Sequence, residues 1–297
     1  MSLEKTLQDG HHGHGLITVV RPCQKEKAPL LLMPTHPRLV TFDILHTLVT
    51  PRLPIHVQYA QVFQGFLGGP NFTVDPLAVK SAFKISLRQL QAERPAYIGE
   101  GGSEGWWQEV VRRTILRSCK VDKNQLEYNL PQITRNLIHR FSSKEGYREF
   151  EDALPTLYKL QARNIFTAAI SNSDSIMKSV LRSLNFPSFL SPILLSEEEG
   201  IEKPKKDIFL RILAHVNDEQ RTKHQLDGWK DITPRECLHV GDEVVADYNG
   251  ARNAGFQALL LVRERDEGQT HPPDEKDLVG VRKISGLEEV LEVISSR

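Results

Sequence analysis

The chain has 297 residues, of which 39% are hydrophobic and 26% are charged, as in an ordinary globular protein. Its 38 Lys and Arg residues balance its 38 Asp and Glu residues, so no overall field favours nucleic acid or an anionic membrane. The three cysteines show neither a disulfide framework nor zinc spacing, and no apolar run is long enough to span a bilayer. We therefore expect no nucleic-acid or membrane partner and a cytoplasmic location, with the nucleus or mitochondria as alternatives.

Residues 1–37 contain Gly, Pro, Lys and three neighbouring histidines, and they predict a flexible leader. The histidines, His11, His12 and His14, can bind a transition metal, but a flexible polar tail is the preferred interpretation. Regular structure is predicted to begin with a short apolar strand at residues 38–42.

From residue 51 to residue 150, apolar residues recur at helical spacing, with no strand signal between them. This pattern predicts four or five amphipathic helices that bury their apolar stripes as a small bundle. The stripes comprise Tyr59, Val62, Phe63 and Phe66; Phe83, Leu87 and Leu90; Trp106, Trp107, Val110, Val111 and Leu116; and Ile133, Leu137, Ile138 and Phe141.

After residue 150, apolar strands alternate with amphipathic helices, which implies right-handed crossovers and a mainly parallel sheet. Strands are predicted at residues 165–170, 192–195, 237–240 and 257–262, and helices at 174–184, after Pro204, at 245–254 and at 287–294. We predict an α/β fold with a Rossmann-like three-layer core, made of residues 38–50 and 151–297, and an inserted helical cap at 51–150. The polar residues 217–236 predict a surface insertion.

Polar side chains stand at four points of the predicted core, each in a strand-to-helix setting. They are Asp43 with Thr47, Ser171 with Asn172, Lys203 before Pro204, and Asp242 with Asp247. In open α/β sheets, ligands bind at the carboxyl edge, where helix N-termini and free amides converge. Taken singly, each group has a simpler interpretation as a turn residue or a helix cap. The ordered set predicts a shared ligand site at that edge.

These segments resemble the four motifs of the haloacid dehalogenase (HAD) superfamily, closely in the core and loosely in the cap. The resemblance implies that Asp43 is a covalent nucleophile, mostly toward phosphate. It implies that Lys203 and Ser171 stabilise charge during the reaction. Thr47, Ser171, Asn172 and Lys203 would then bind the phosphate of a small phosphorylated molecule.

The same resemblance implies a magnesium site. Mg²⁺ would be held by Asp43, the backbone carbonyl of Leu45, and Asp242 with Asp247, because hard oxygen ligands suit this ion. Within the superfamily, the chain resembles the HAD-like hydrolase domain-containing proteins of the third type. In that group a Trp-Trp pair opens a cap helix, as Trp106 and Trp107 do here.

Leu45 occupies a position where phosphatases of this superfamily usually carry a second aspartate. Leucine can neither protonate a leaving oxygen nor activate water, a contribution of about 10²–10⁴-fold in rate. His46 is a minor candidate for that role. We therefore predict a magnesium-dependent phosphohydrolase whose activity is reduced or restricted to good leaving groups. The alternatives are a non-catalytic binding or assembly protein and, ranked lower, a dehalogenase-type hydrolase. No pattern in the sequence indicates the specific substrate or the oligomeric state.

Overall fold

A computed structural model describes residues 36–69, 72–94, 102–223, 229–263 and 278–295 of the chain. The predicted leader, including its three histidines, lies outside these ranges apart from residues 36 and 37. No helix in the described part of the chain has the length and apolar character needed to cross a membrane.

The described residues contain eight strands, and six of them form one sheet. The strands are β1 (Leu39–Phe42), β2 (Val49–Pro51), β3 (Tyr147–Glu149), β4 (Phe166–Ser171), β5 (Leu190–Leu195), β6 (Cys237–Gly241), β7 (Gln257–Leu261) and β8 (Lys283–Ile284). The sheet has the order β5-β4-β1-β6-β7-β8, and every pairing in it is parallel. The α/β fold class predicted from the alternation of strands and helices is confirmed.

Ten α-helices accompany these strands in the described residues. They are α1 (Ile55–Leu67), α2 (Pro76–Glu93), α3 (Gly102–Ser118), α4 (Lys123–Phe141), α5 (Ala153–Ala162), α6 (Ile176–Ser183), α7 (Ser196–Glu199), α8 (Lys206–Lys223), α9 (Gly250–Asn253) and α10 (Glu288–Ser295). A π-helical segment, Val244–Asn249, leads into α9, where the sequence predicted one continuous α-helix.

Apolar residues cover both faces of the sheet, which explains why its strands lack the alternation of polar and apolar residues. Val40 and Phe42 of β1 pack with α5, α6 and α10 on one face. Leu39, of the same strand, packs with α8 and α9 on the other. Helices on both faces of one sheet make three layers, with β1 near the centre.

Helices α1 to α4 lie between β2 and β3 in the chain and pack against one another. Phe63 and Ile133 are fully buried in their largest shared cluster. The side chains of Asp75 and Asp122 cap the N-termini of α2 and α4, and each accepts two backbone N–H groups. Such caps satisfy donors that the first helical turn leaves without partners.

The prediction that no strand interrupts residues 51–150 is wrong, because β3 lies near the end of that stretch. It pairs antiparallel with β2, so that Val49 lies opposite Glu149 and Pro51 opposite Tyr147. The two strands therefore join where the helical insertion begins and where it ends. A three-residue strand is too short to produce a periodic pattern, and only the pairing with a distant segment defines it.

The prediction of a surface insertion at residues 217–236 is wrong in part. Its first seven residues complete α8, and its residues 224–228 lie outside the described part. The Asn217 side chain is buried, accepts the N–H of Ile232 at 2.8 Å and donates to its carbonyl at 3.0 Å. These two hydrogen bonds anchor the second half of the segment to the helix. The helix predicted after Pro204 is α8, which begins at Lys206.

Candidate functional site

The carboxyl ends of β4, β1 and β6 lie side by side at one edge of the sheet. Asp43 follows β1, and its N–H donates to the carbonyl of Val240 in β6 at 2.9 Å. Ser171 ends β4 and is buried, while Asp242 directly follows β6. Parallel pairing alone therefore brings three of the predicted groups to the same edge.

Lys203 joins two of the predicted carboxylates. Its Nζ lies 2.5 Å from Asp43 Oδ1 and 2.6 Å from Asp247 Oδ1. The lysine side chain is only 3% exposed, so these contacts are screened little by solvent. The two carboxylates outweigh the effect of burial and raise the pKa of Lys203 above its usual value. The amine is therefore a fixed cation beside the predicted nucleophile.

Asn172 holds the backbone of Lys203 from both sides. Its Oδ1 accepts the N–H of Lys203 at 2.8 Å, and its Nδ2 donates to the carbonyl at 2.9 Å. The loop after β4 and the loop before α8 are thereby clamped together. The observed contact of Asn172 is thus a positioning one, in addition to the phosphate contact that the sequence predicts.

The structure places Thr47 and Leu45 in the turn after Asp43. Thr47 is fully buried, its Oγ1 has no hydrogen-bond partner in the described residues, and its carbonyl accepts from Arg263 at 3.1 Å. The Leu45 side chain is half-buried and packs against the apolar core. An apolar side chain packed in this way supplies no proton to the site.

Two site residues were missed in the sequence, Thr41 and His239. They lie opposite each other in β1 and β6 and are fully buried. Thr41 Oγ1 lies 2.8 Å from His239 Nδ1, and His239 Nε2 lies 3.0 Å from Asp247 Oδ1. The only signal was a polar residue in each of two strands that are otherwise apolar.

The protonation states around His239 follow from its two contacts. Burial lowers the pKa of His239, so its ring is neutral. Lys203 and His239 together outweigh burial and hold the pKa of Asp247 below its usual range. Because an ionised carboxylate only accepts hydrogen bonds, His239 Nε2–H donates to Asp247 and Thr41 donates to Nδ1. Hydrogen bonds therefore connect Thr41 to His239, His239 to Asp247, and Asp247 to Lys203.

Both carboxylate oxygens of Asp247 are held by protein donors. Lys203 and His239 contact Oδ1, and the N–H of Glu243 donates to Oδ2 at 3.0 Å. A Cβ at Gly241 would lie 2.2 Å from Asp247 Cγ, so only glycine fits there. The geometry therefore makes Asp247 the residue that orients Lys203.

Asp43, Asp242 and Asp247 bring carboxylate oxygens within 4.8 Å of one another. Burial, opposed by Lys203 and assisted by Asp247, raises the pKa of Asp43 to about 7. Burial and the charges of Asp43 and Asp247 raise the pKa of Asp242 to about 8. Three carboxyl groups share one ammonium group, which leaves Asp43 and Asp242 only partly ionised at neutral pH, and a divalent cation would stabilise their ionised forms. The oxygen donors fit magnesium, with Asp43 and Asp242 as its best-placed ligands.

The chain is similar to known proteins in sequence and in fold. The family model described as haloacid dehalogenase-like hydrolase matches residues 37–255. Haloacid dehalogenase-like hydrolase domain-containing protein 3 of Danio rerio is 28% identical over 242 residues, which cover 80% of this chain and 90% of that protein.

Two solved structures show the same fold at low sequence identity. The 2-haloacid dehalogenase of Pseudomonas syringae is 20% identical, with a TM-score of 0.52 over 88% of this chain and 99% of that one. The hydrolase YfnB of Bacillus subtilis, bound to magnesium, is 17% identical, with a TM-score of 0.54 over 88% of this chain and 100% of that one. On the family match, the chain belongs to the haloacid dehalogenase-like hydrolases.

Proposed function

We propose that the chain is a magnesium-dependent phosphohydrolase that acts on a small phosphorylated molecule through Asp43. One observation carries the proposal: the Lys203 ammonium group lies 2.5 Å from Asp43, inside a cluster of three carboxylates. This arrangement can hold both a phosphate group and a divalent cation around one buried nucleophile.

In the first step, a carboxylate oxygen of Asp43 attacks phosphorus, and the bond from phosphorus to the leaving oxygen breaks. The leaving oxygen takes the bonding electron pair, and an aspartyl-phosphate forms on Asp43. Lys203 stabilises the negative charge on the nucleophile and on the transferred phosphoryl group. The Ser171 hydroxyl, at the end of β4, supplies a further donor for a phosphoryl oxygen. In the second step, water attacks phosphorus and the bond from phosphorus to the Asp43 oxygen breaks. Both protons of the water leave on inorganic phosphate, and the Asp43 carboxylate is restored.

Magnesium would be held by Asp43 and Asp242, with the Leu45 carbonyl as the third protein ligand that the family resemblance implies. When bound, the ion neutralises charge on the two acids and on the phosphoryl oxygens. Asp247 contributes by orienting Lys203, because its own oxygens already accept from protein donors.

Leu45 determines which substrates react. Without an acid at this position, the leaving oxygen departs without a proton from the protein. Acyl phosphates tolerate this loss, whereas alkyl phosphates depend on protonation, a contribution of about 10²–10⁴-fold. The proposed activity is therefore restricted by the leaving group.

The test compares hydrolysis of acetyl phosphate and of an alkyl phosphate, each with and without magnesium. We expect magnesium-dependent turnover of acetyl phosphate, much slower turnover of the alkyl phosphate, and no turnover by the Asp43→Asn variant. Absence of turnover on either substrate, with magnesium and beryllofluoride still bound, would establish a non-catalytic binding protein instead. Release of halide from 2-chloropropionate would favour the dehalogenase alternative.

A second variant tests the role of position 45. Leu45→Asp should raise alkyl phosphatase activity by about 10²-fold or more, since it restores an acid–base group. Leu45→Asn is the matched control, because asparagine is a polar side chain of the same size as aspartate but transfers no proton. Equal rates for the two variants would contradict the role assigned to Leu45.

A further inference from the structure

A cavity of about 130 Å³ lies where α1 to α4 and β3 meet the N-terminal end of α6. Its walls carry five aromatic side chains and one carboxylate. These are Tyr59, Phe83, Trp107, Phe141, Tyr147 and Asp174. Its size is that of a small apolar group, since an engineered cavity of roughly 150 Å³ binds benzene.

Four of the five aromatic rings form one connected cluster around Tyr59. The Tyr59 ring centroid lies 5.1 Å from that of Phe83 and 5.4 Å from that of Phe141. Tyr147 continues the cluster, with its ring centroid 6.0 Å from that of Phe141. The faces of such rings carry partial negative charge and attract cations, most strongly where water is excluded.

Asp174 is the one charged side chain of the cavity wall. No Lys, Arg or His of the described residues lines the cavity, and Asp174 forms no salt bridge within that part of the chain. Its Oδ1 accepts the N–H of Ile176 at 3.2 Å. Burial and the charge of Glu197 raise the pKa of Asp174, and hydrogen bonds from Ile176 and Trp107 oppose this only in part. The carboxylate thus has no cationic partner of its own.

The wall chemistry discriminates between classes of ligand. An anion would be repelled by Asp174. A neutral apolar group would fill the space but would cover the carboxylate without pairing it, which costs free energy. A compact cation with alkyl substituents suits both the aromatic rings and the carboxylate, because its methyl groups contact the rings and its charge pairs with Asp174.

We propose that this cavity binds an alkylated ammonium group, such as trimethylammonium. Asp174 follows Ser171 by only three residues, so their Cα atoms lie within about 11 Å of each other. In its extended form, the proposal is one molecule with its phosphate at Asp43 and its ammonium group in the cavity. The idea that the phosphate and the ammonium group belong to one substrate rests on the proposed function. The binding of the ammonium group in the cavity is independent of it.

The test measures binding by calorimetry to the full-length chain, without phosphate or magnesium. Choline is compared with 3,3-dimethylbutan-1-ol, a neutral molecule of the same shape. We expect choline to bind at least about tenfold more tightly, which corresponds to roughly 1.4 kcal/mol. Equal or tighter binding of the neutral molecule, or no binding of choline, overturns the proposal.

Matched variants locate the interaction. Asp174→Asn should remove the preference for choline while the neutral molecule binds as before, and the exposed Asp207→Asn should change nothing. Tyr59→Leu should weaken choline binding, whereas Tyr128→Leu should not, because Tyr128 lies on α4 with 85% of its surface exposed. Choline binding that survives both Asp174→Asn and Tyr59→Leu contradicts the assignment to this cavity.

A separate arm measures hydrolysis of phosphocholine against 3,3-dimethylbutyl phosphate by the Leu45→Asp variant. A preference for phosphocholine that disappears with the additional Asp174→Asn change places both groups in one substrate. Choline binding without any phosphatase activity would overturn the proposed function alone. Phosphatase activity without choline binding would overturn the cavity assignment alone.

Discussion

The site around Asp43 and the aromatic cavity beside Asp174 differ in whether their carboxylates have cationic partners. At the first, Lys203 and His239 fix carboxylates with contacts of 2.5 to 3.0 Å. At the second, a single carboxylate faces aromatic rings and has no cation within the described residues. Polar contacts between distant segments hold the first site, whereas helix packing shapes the second. Mutations should therefore affect the two regions differently.

The largest expected effect is at Lys203. Lys203→Met leaves two buried carboxylates without their cation, so the free energy of unfolding should fall by about 3–5 kcal/mol. Hydrolysis of acetyl phosphate should also be lost. Urea denaturation measures the first effect and phosphate release the second. Lys205→Met is the control, because Lys205 is exposed in the same loop and should change stability by less than about 0.5 kcal/mol.

An intermediate effect is expected at His239. His239→Leu removes a donor from Asp247 and the partner of Thr41, so stability should fall by about 1–3 kcal/mol. The kcat for acetyl phosphate should fall while Lys203 remains, because Asp247 no longer holds the lysine in one position. The exposed His215→Leu serves as the control in both measurements. A loss of stability with kcat unchanged would mean that His239 has only a packing role.

The smallest effect should be confined to the helical insertion. Asp75→Ala removes the cap of α2, whose carboxylate accepts from Leu77 N and Ala78 N, and should cost about 1 kcal/mol. Asp75→Asn keeps an equally good cap and should cost almost nothing. Thermal unfolding compares the two variants. Turnover of acetyl phosphate should be the same in the two variants, since Asp75 caps a helix of the insertion and is not a residue of the Asp43 site.

Much of the site could be predicted because its residues stand at chain positions with strong local signals. The apolar run of β1 ends at Asp43, and each of the other predicted groups lies near the end of a strand or the start of a helix. Alternation of strands and helices is also a local property, and it determined the parallel sheet. Once β1 lies between β4 and β6, the convergence of these side chains follows from sheet geometry.

The prediction failed where a residue's role depends on a partner far away in the chain. The Asn217 side chain is paired and buried only because Ile232 returns to it, and β3 exists only through its pairing with β2. Neither segment has a periodic pattern that distinguishes it from a polar loop or a helix end.

The sequence by itself determined the α/β core, the helical insertion and the order of the polar groups along the chain. Tertiary structure alone decided that His239 reaches Asp247, that Asn172 clamps Lys203 and that Asp174 faces an aromatic cavity. The physical reason is the separation along the chain between the residues that interact. Strand and helix patterns depend on neighbouring residues, whereas burial, pairing and pKa shifts arise only when distant side chains come together in the protein interior.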